Sequence, residues 1–140
     1  MSRPLSEIPR SVLAALSIAL AVTACGGDDD TTSEVVPGQT LRLSSTGGLT
    51  VGTIRLDGAQ INRGPNVFHV DFEPTTTEVR SASTLMPAHG HGSIEPSLAR
   101  DGDGYRISDC VFSMPGLWEV RLELAIDGRA DRLVFNADAP

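Results

Sequence analysis

The most regular stretch of the chain is Trp118-Glu119-Val120-Arg121-Leu122-Glu123-Leu124, where large apolar residues alternate with charged ones without a break. A period of two sends successive side chains to opposite faces. The stretch therefore predicts a strand with Trp118, Val120, Leu122 and Leu124 inward and Glu119, Arg121 and Glu123 outward. Its continuous apolar face predicts a central place in a sheet and a buried Trp118. Its charged face predicts cross-strand ion pairs in water. Phe68, Val70 and Phe72 alternate with Val67, His69 and Asp71, which puts His69 on the face opposite the aromatics. Shorter candidates are Leu41–Leu43, Val51–Leu56, Glu78–Leu85, Tyr105–Met114 and Arg132–Phe135, with a weak segment ending at Leu98. Between them stand turn signals: Asp57-Gly58, Arg63-Gly64-Pro65-Asn66, Met86-Pro87, Asp101-Gly102-Asp103-Gly104, Pro115-Gly116 and Asp127-Gly128. No window carries a capped helical period. Short strands at this spacing predict an all-β fold: one antiparallel β-sandwich over residues 40–137 with seven or eight strands.

The first residues follow a different pattern. Arg3 and Arg10 precede the uncharged run Val12–Ala24, 13 residues long. A membrane-spanning helix needs about 20 apolar residues, so residues 1–24 predict a secretory signal peptide. Val22-Thr23-Ala24-Cys25 resembles the bacterial lipobox. That resemblance implies cleavage before Cys25, its lipidation, and anchoring in a lipid membrane. Residues 25–39, beginning Cys25-Gly26-Gly27-Asp28-Asp29-Asp30, are small, polar and acidic, the composition of a flexible tether. Gly26, where an Asp would hold a lipoprotein at the inner membrane, implies by resemblance to Gram-negative sorting an outer-membrane protein facing the periplasm.

Charge narrows the function classes. The chain holds 11 basic residues against 18 acidic ones, a net charge of -7. An acidic surface argues against nucleic acid, whose phosphates need a basic face. With two Cys in the whole chain, one of them the lipobox residue, a disulfide scaffold is excluded. Cys110 shares a strand face with Phe112, which predicts a buried, inert thiol. The chain lacks a G-x-S-x-G, an H-E-x-x-H and a P-loop, so an enzyme is not expected. Asp101-Gly102-Asp103-Gly104 starts like a calcium loop, but Tyr105 and Phe112 stand where later ligands belong, leaving an acidic turn. Tyr105, just after this turn, is a candidate tyrosine corner.

Met86, His89 and His91 fall within six residues, and Met114 opens the last hairpin. Imidazole suits copper, zinc and nickel, while a thioether suits Cu(I). Two imidazoles at i and i+2 share one side of an extended chain, and Gly90 and Gly92 let the loop bend. These residues predict a Cu(I) site made by His89, His91, Met86 and Met114, provided both loops lie at one end of the sandwich. The imidazoles must be neutral to ligate, so affinity falls as acid protonates them. The blander reading makes Met86 a core residue and leaves the two His in a solvated turn.

Gly64-Pro65-Asn66-Val67-Phe68-His69-Val70, Met86-Pro87-Ala88-His89-Gly90-His91-Gly92 and Met114-Pro115-Gly116-Leu117-Trp118-Glu119-Val120 together resemble, in order and spacing, the YtkA-like domain, related to the FixH-type periplasmic domain. The resemblance covers about residues 38–137 and implies a small immunoglobulin-like or cupredoxin-like sandwich. Such domains occur in bacterial lipoproteins and beside metal-handling modules. Two functions fit these expectations: a copper-binding accessory of the cell envelope, or a metal-free, membrane-tethered module that docks a partner protein.

Overall fold

The computed structural model describes residues 33–140. The signal peptide, the Cys25 lipidation site and most of the acidic linker lie outside the described residues. Nine strands follow in order: β1 (Thr40–Ser44), β2 (Val51–Leu56), β3 (Gly64–Glu73), β4 (Glu78–Met86), β5 (His91–Gly92), β6 (Ser97–Asp101), β7 (Gly104–Phe112), β8 (Gly116–Ile126) and β9 (Arg129–Ala139). They form a five-stranded sheet, β1-β2-β3-β7-β6, and a four-stranded sheet, β5-β4-β8-β9, with every neighbouring pair antiparallel. The all-β sandwich expected from alternation is therefore the fold. It has nine strands rather than seven or eight because β5 and β6 are set by pairing and not by an apolar pattern of their own.

Alternation fixes β8 as expected. Trp118, Val120 and Leu122 are fully buried, and the strand sits between β4 and β9. On its outer side Glu123 pairs with Arg132 directly opposite, 2.7 Å away, and Arg121 pairs with Glu119 along the strand. The sheets meet through aromatic contacts: Phe68 meets Phe135 edge-on at 5.1 Å, and Phe112 stacks on Trp118 at 5.4 Å. A buried aromatic of this kind is worth about 3–5 kcal/mol against Ala.

Two strands break the simple period. In β4, Val79 and Ala82 are both buried, because the register against β8 slips by one residue between Val79 and Ser81. In β7, Ile107 and Cys110 both face inward, and Asp109 takes φ 58° where the register against β3 slips. Each slip is a β-bulge, an extra residue that swaps the faces beyond it. Cys110 ends beside Phe112 in the core all the same. Burial, with a smaller effect of the neighbouring Asp109 charge, pushes its thiol up to about 12, so it is inert.

Arg63-Gly64-Pro65-Asn66 reads as a turn, yet β3 begins at Gly64. The turn lies earlier, held by Asn66: its Oδ1 accepts from Asn62 N, and its Nδ2 donates to the Asn62, Gly64 and Cys110 carbonyls. Tyr105 packs edge-on against Phe72, with the Arg100 guanidinium 4.5 Å over its ring. Ser33–Val35, part of the expected linker, is ordered against β9. Val35 N donates to Asn136 O at 2.8 Å, Asn136 N donates to Ser33 O at 2.7 Å, and Val35 is 1% exposed.

Candidate metal centre

The strand directions decide whether the His and Met loops can meet. Strand β4 ends at Met86, and its antiparallel neighbour β8 begins at Gly116. The 87–90 turn and the 113–115 turn therefore leave the sandwich at the same end, the condition the four-residue site requires. The contact is close: a Cβ added to Gly116 would stand 2.9 Å from Met86 Cε.

The His-bearing segment is a tight hairpin. Both His89 N and Gly90 N donate to Met86 O, at 3.1 and 2.9 Å. Gly90 takes φ +67°, which only glycine adopts without strain, and returns the chain to pair with β4. Met86 stands directly opposite His91, and Leu85 opposite Gly92. Opposite residues of an antiparallel pair project from the same face. Met86 points into the core, 4% exposed, so His91 hangs over the rim of that core at the sheet's edge. Gly92 lies against β4 so closely that a Cβ there would be 2.7 Å from Thr84 O.

The two imidazoles are exposed, and their ring centres are 5.8 Å apart. The expectation that they share one side of an extended chain is corrected: His89 is in the turn and only His91 is in a strand, and the turn itself brings the rings together. A ring nitrogen holds a metal at about 2.0–2.1 Å, which puts the ion about 3 Å from the ring centre. Rings sharing one ion then stand roughly 5–6 Å apart, and this pair falls in that interval. His91 Nδ1 lies 3.4 Å from Gly92 O, a contact that favours the tautomer with the proton on Nδ1 and a free Nε2.

Met86 belongs to the core cluster, as the blander reading expects, while keeping its place opposite His91. Met114 is half-buried against that cluster, and its carbonyl accepts from Trp118 Nε1 at 3.0 Å. Trp118 in turn meets His91 at 6.2 Å between ring centres. The residue that joins the two loops is thus one the motif reading placed only in the core. The pairing Met86↔His91 would have been its signal, and a two-residue strand gives no pattern from which to infer it.

His69 stays apart, on the outer face of the five-stranded sheet. Its Nδ1 is 2.8 Å from Asp101 and its Nε2 3.4 Å from Asp57. Asp101 and Gly104 close a strand-to-strand turn, with Gly102 at φ +61°. Among the described residues, no group of three or more His, Cys, Asp and Glu is arranged to hold a metal ion. What this end of the fold brings close together is the pair of imidazoles. No protein-family model matches the chain, and neither a curated protein nor a solved structure matches it.

Proposed function

We propose that this protein is a lipid-anchored lipoprotein of the bacterial cell envelope, held at the outer membrane facing the periplasm, whose sandwich domain binds one Cu(I) as a metal-handling accessory. His89 and His91 are the primary ligands, and Met86 and Met114 supply thioether sulfur. The observation that carries the reading is the 5.8 Å separation of two exposed imidazoles at the end of the fold where Met86 is buried opposite His91. A site with two soft sulfur donors and no carboxylate suits Cu(I) better than calcium or magnesium. The YtkA-like resemblance, resting on its three motifs, points the same way, as does the lipobox at Cys25.

The test is competition with a chromophoric Cu(I) chelator, using a soluble chain that starts at Ser33. His89→Ala and His91→Ala should each weaken binding by more than the roughly 10–100-fold that loss of an outer-shell partner costs. Met114→Ala should weaken Cu(I) more than Zn(II). Absence of any competition would leave the metal-free, membrane-tethered interaction module as the function. Mass spectrometry of the native protein checks the anchor: an acylated Cys25 at the mature N-terminus is the expected result.

A further inference from the structure

Two imidazoles fill half of a tetrahedral shell. Zn(II) takes four ligands in that geometry, drawn from thiolate, imidazole and carboxylate. His89 and His91 are spaced to supply two of them. Among the described residues, no third His, Cys, Asp or Glu completes the group. Cys110 is buried, and His69 is engaged by Asp101 and Asp57 on the other sheet. Met86 is buried too, and a thioether is not among the zinc donors. Both imidazoles, by contrast, are open to solvent, one in the turn after β4 and one on β5.

The surface around them differs from the rest of the chain. A net charge of -7 makes copies of the chain repel one another. Residues 81–94 and 110–118, however, contain no Arg, Asp or Glu. The first stretch supplies the His-bearing turn and β5, and the second supplies the 113–115 turn and the start of β8. Among the described residues, the large apolar side chains left exposed are Val36, Ile94 and Leu117. Two of these three flank the imidazoles: Ile94, 62% exposed, soon after His91, and Leu117, 43% exposed, next to Gly116. A neutral, partly apolar rim around two open ligands is where a second copy can seat with least repulsion.

We infer that Zn(II) joins two copies of this chain at this end, each copy giving His89 and His91 to one four-imidazole site on a twofold axis; the inference rests on the reading of these two residues as a chelating pair, not on copper as the metal. A twofold axis through a tetrahedral ion exchanges one pair of ligands for the other, which is the symmetry of an isologous dimer. The 5.8 Å spacing of the rings already suits a shared ion, so each copy keeps its turn as it stands. Neither chain alone completes the shell, and the second copy brings the same two nitrogens that the first lacks. Cu(I) accepts thioether sulfur and can be served within one chain.

The experiment uses the mature chain from residue 25 with Cys25→Ser, so that no lipid drives association. Sedimentation velocity and native mass spectrometry follow it as Zn(II) or Cu(I) is added and then withdrawn with a chelator. The metal-free chain should be a monomer. Zn(II) should convert it to a dimer, with the end point at one ion per two chains, and EDTA should restore the monomer. Cu(I) should bind without forming the dimer. His89→Ala and His91→Ala each remove two of the four ligands from the symmetric site. Each should weaken the Zn(II)-dependent dimer by more than about 100-fold, the upper end of what loss of an outer-shell partner costs. Both side chains are exposed, so these variants should fold as the parent does. His69→Ala and Met114→Ala should leave the Zn(II) dimer unchanged. One Zn(II) per chain with no change in mass, a dimer that survives EDTA or His91→Ala, or a dimer formed equally by Cu(I) overturns the inference and leaves the chelating pair standing. A dimer lost in His69→Ala and kept in His89→Ala places the ion elsewhere and overturns it as well. If the chain binds neither Zn(II) nor Cu(I), the chelating pair falls with it.

Discussion

Replacing Asp131 with Asn would test the joint between the β1–β2 turn and β9. The Asp131 carboxylate accepts from Ser45 Oγ at 2.6 Å, Gly47 N at 2.7 Å, Leu49 N at 3.1 Å and Arg132 N at 2.7 Å. Burial raises the carboxyl pKa, but these hydrogen bonds together outweigh it and hold the group at about 2, against an ordinary 3.8. Unscreened, that difference corresponds to roughly 2.4 kcal/mol; water beside this part-exposed group reduces it to about 1 kcal/mol. A folded-state value below the unfolded one fixes the sign. The contribution is complete above the unfolded value near 3.8, falls as the pH drops toward about 2, and is gone below that. Asn keeps the shape but turns an NH2 toward groups that are themselves donors, so at neutral pH Asp131→Asn should cost about 1–3 kcal/mol. Urea unfolding followed by Trp118 fluorescence measures this, with the denaturant slope unchanged. The difference between the two proteins should narrow from about pH 4 to pH 2. A variant as stable as the wild type at neutral pH, or a gap that stays constant down to acid, would refute the reasoning.

Two glycine substitutions test the close approaches. Gly92→Ala places a methyl against Thr84 O and should lever β5 off β4, lowering Cu(I) affinity with no ligand removed and a melting temperature within a few degrees of the parent; unchanged affinity would show that the His91 position does not depend on that pairing. In Gly104→Ala the methyl would lie 2.5 Å from Val70 O and 3.1 Å from Asp71 Cα, both backbone atoms that cannot swing aside. The loss should be about 1–3 kcal/mol, the usual cost of overpacking, read from thermal unfolding.

The β-sandwich was legible because one strand, β8, carries an unbroken two-residue period and the turns carry Gly and Pro. Legibility stopped where pairing, not composition, makes the strand. His91-Gly92 contains no apolar residue and is a strand only because Leu85 and Met86 hold it. The bulges at Arg80 and Asp109 shift the inward parity by one, so no single period describes β4 or β7. At the candidate centre, the nearness of His89, His91 and Met86 in sequence was visible, and so was the condition that Met114 share their end. The contact of His91 with Trp118 was not, because it depends on the hairpin register that sets His91 beside the inward face of β8.

The parallel seating of Ser33–Val35 on β9 has a mechanical side. Its two backbone hydrogen bonds both involve Asn136 and lie across the strand direction, and Asn136 Nδ2 adds a third to Ser33 Oγ. A pull on the chain ahead of Ser33 along the strand axis loads the two backbone bonds in shear, so they must fail together. A pull away from the sheet peels them one at a time. Behind them Val35 is plugged into the core and has to be drawn out before tension reaches β1. The segment thus works as a strain relief, yielding first and leaving the β1–β2 ladder intact. Release of Ser33–Val35 would free a few residues of chain beside β9 without disturbing the opposite edge of the four-stranded sheet, where His91 lies on β5.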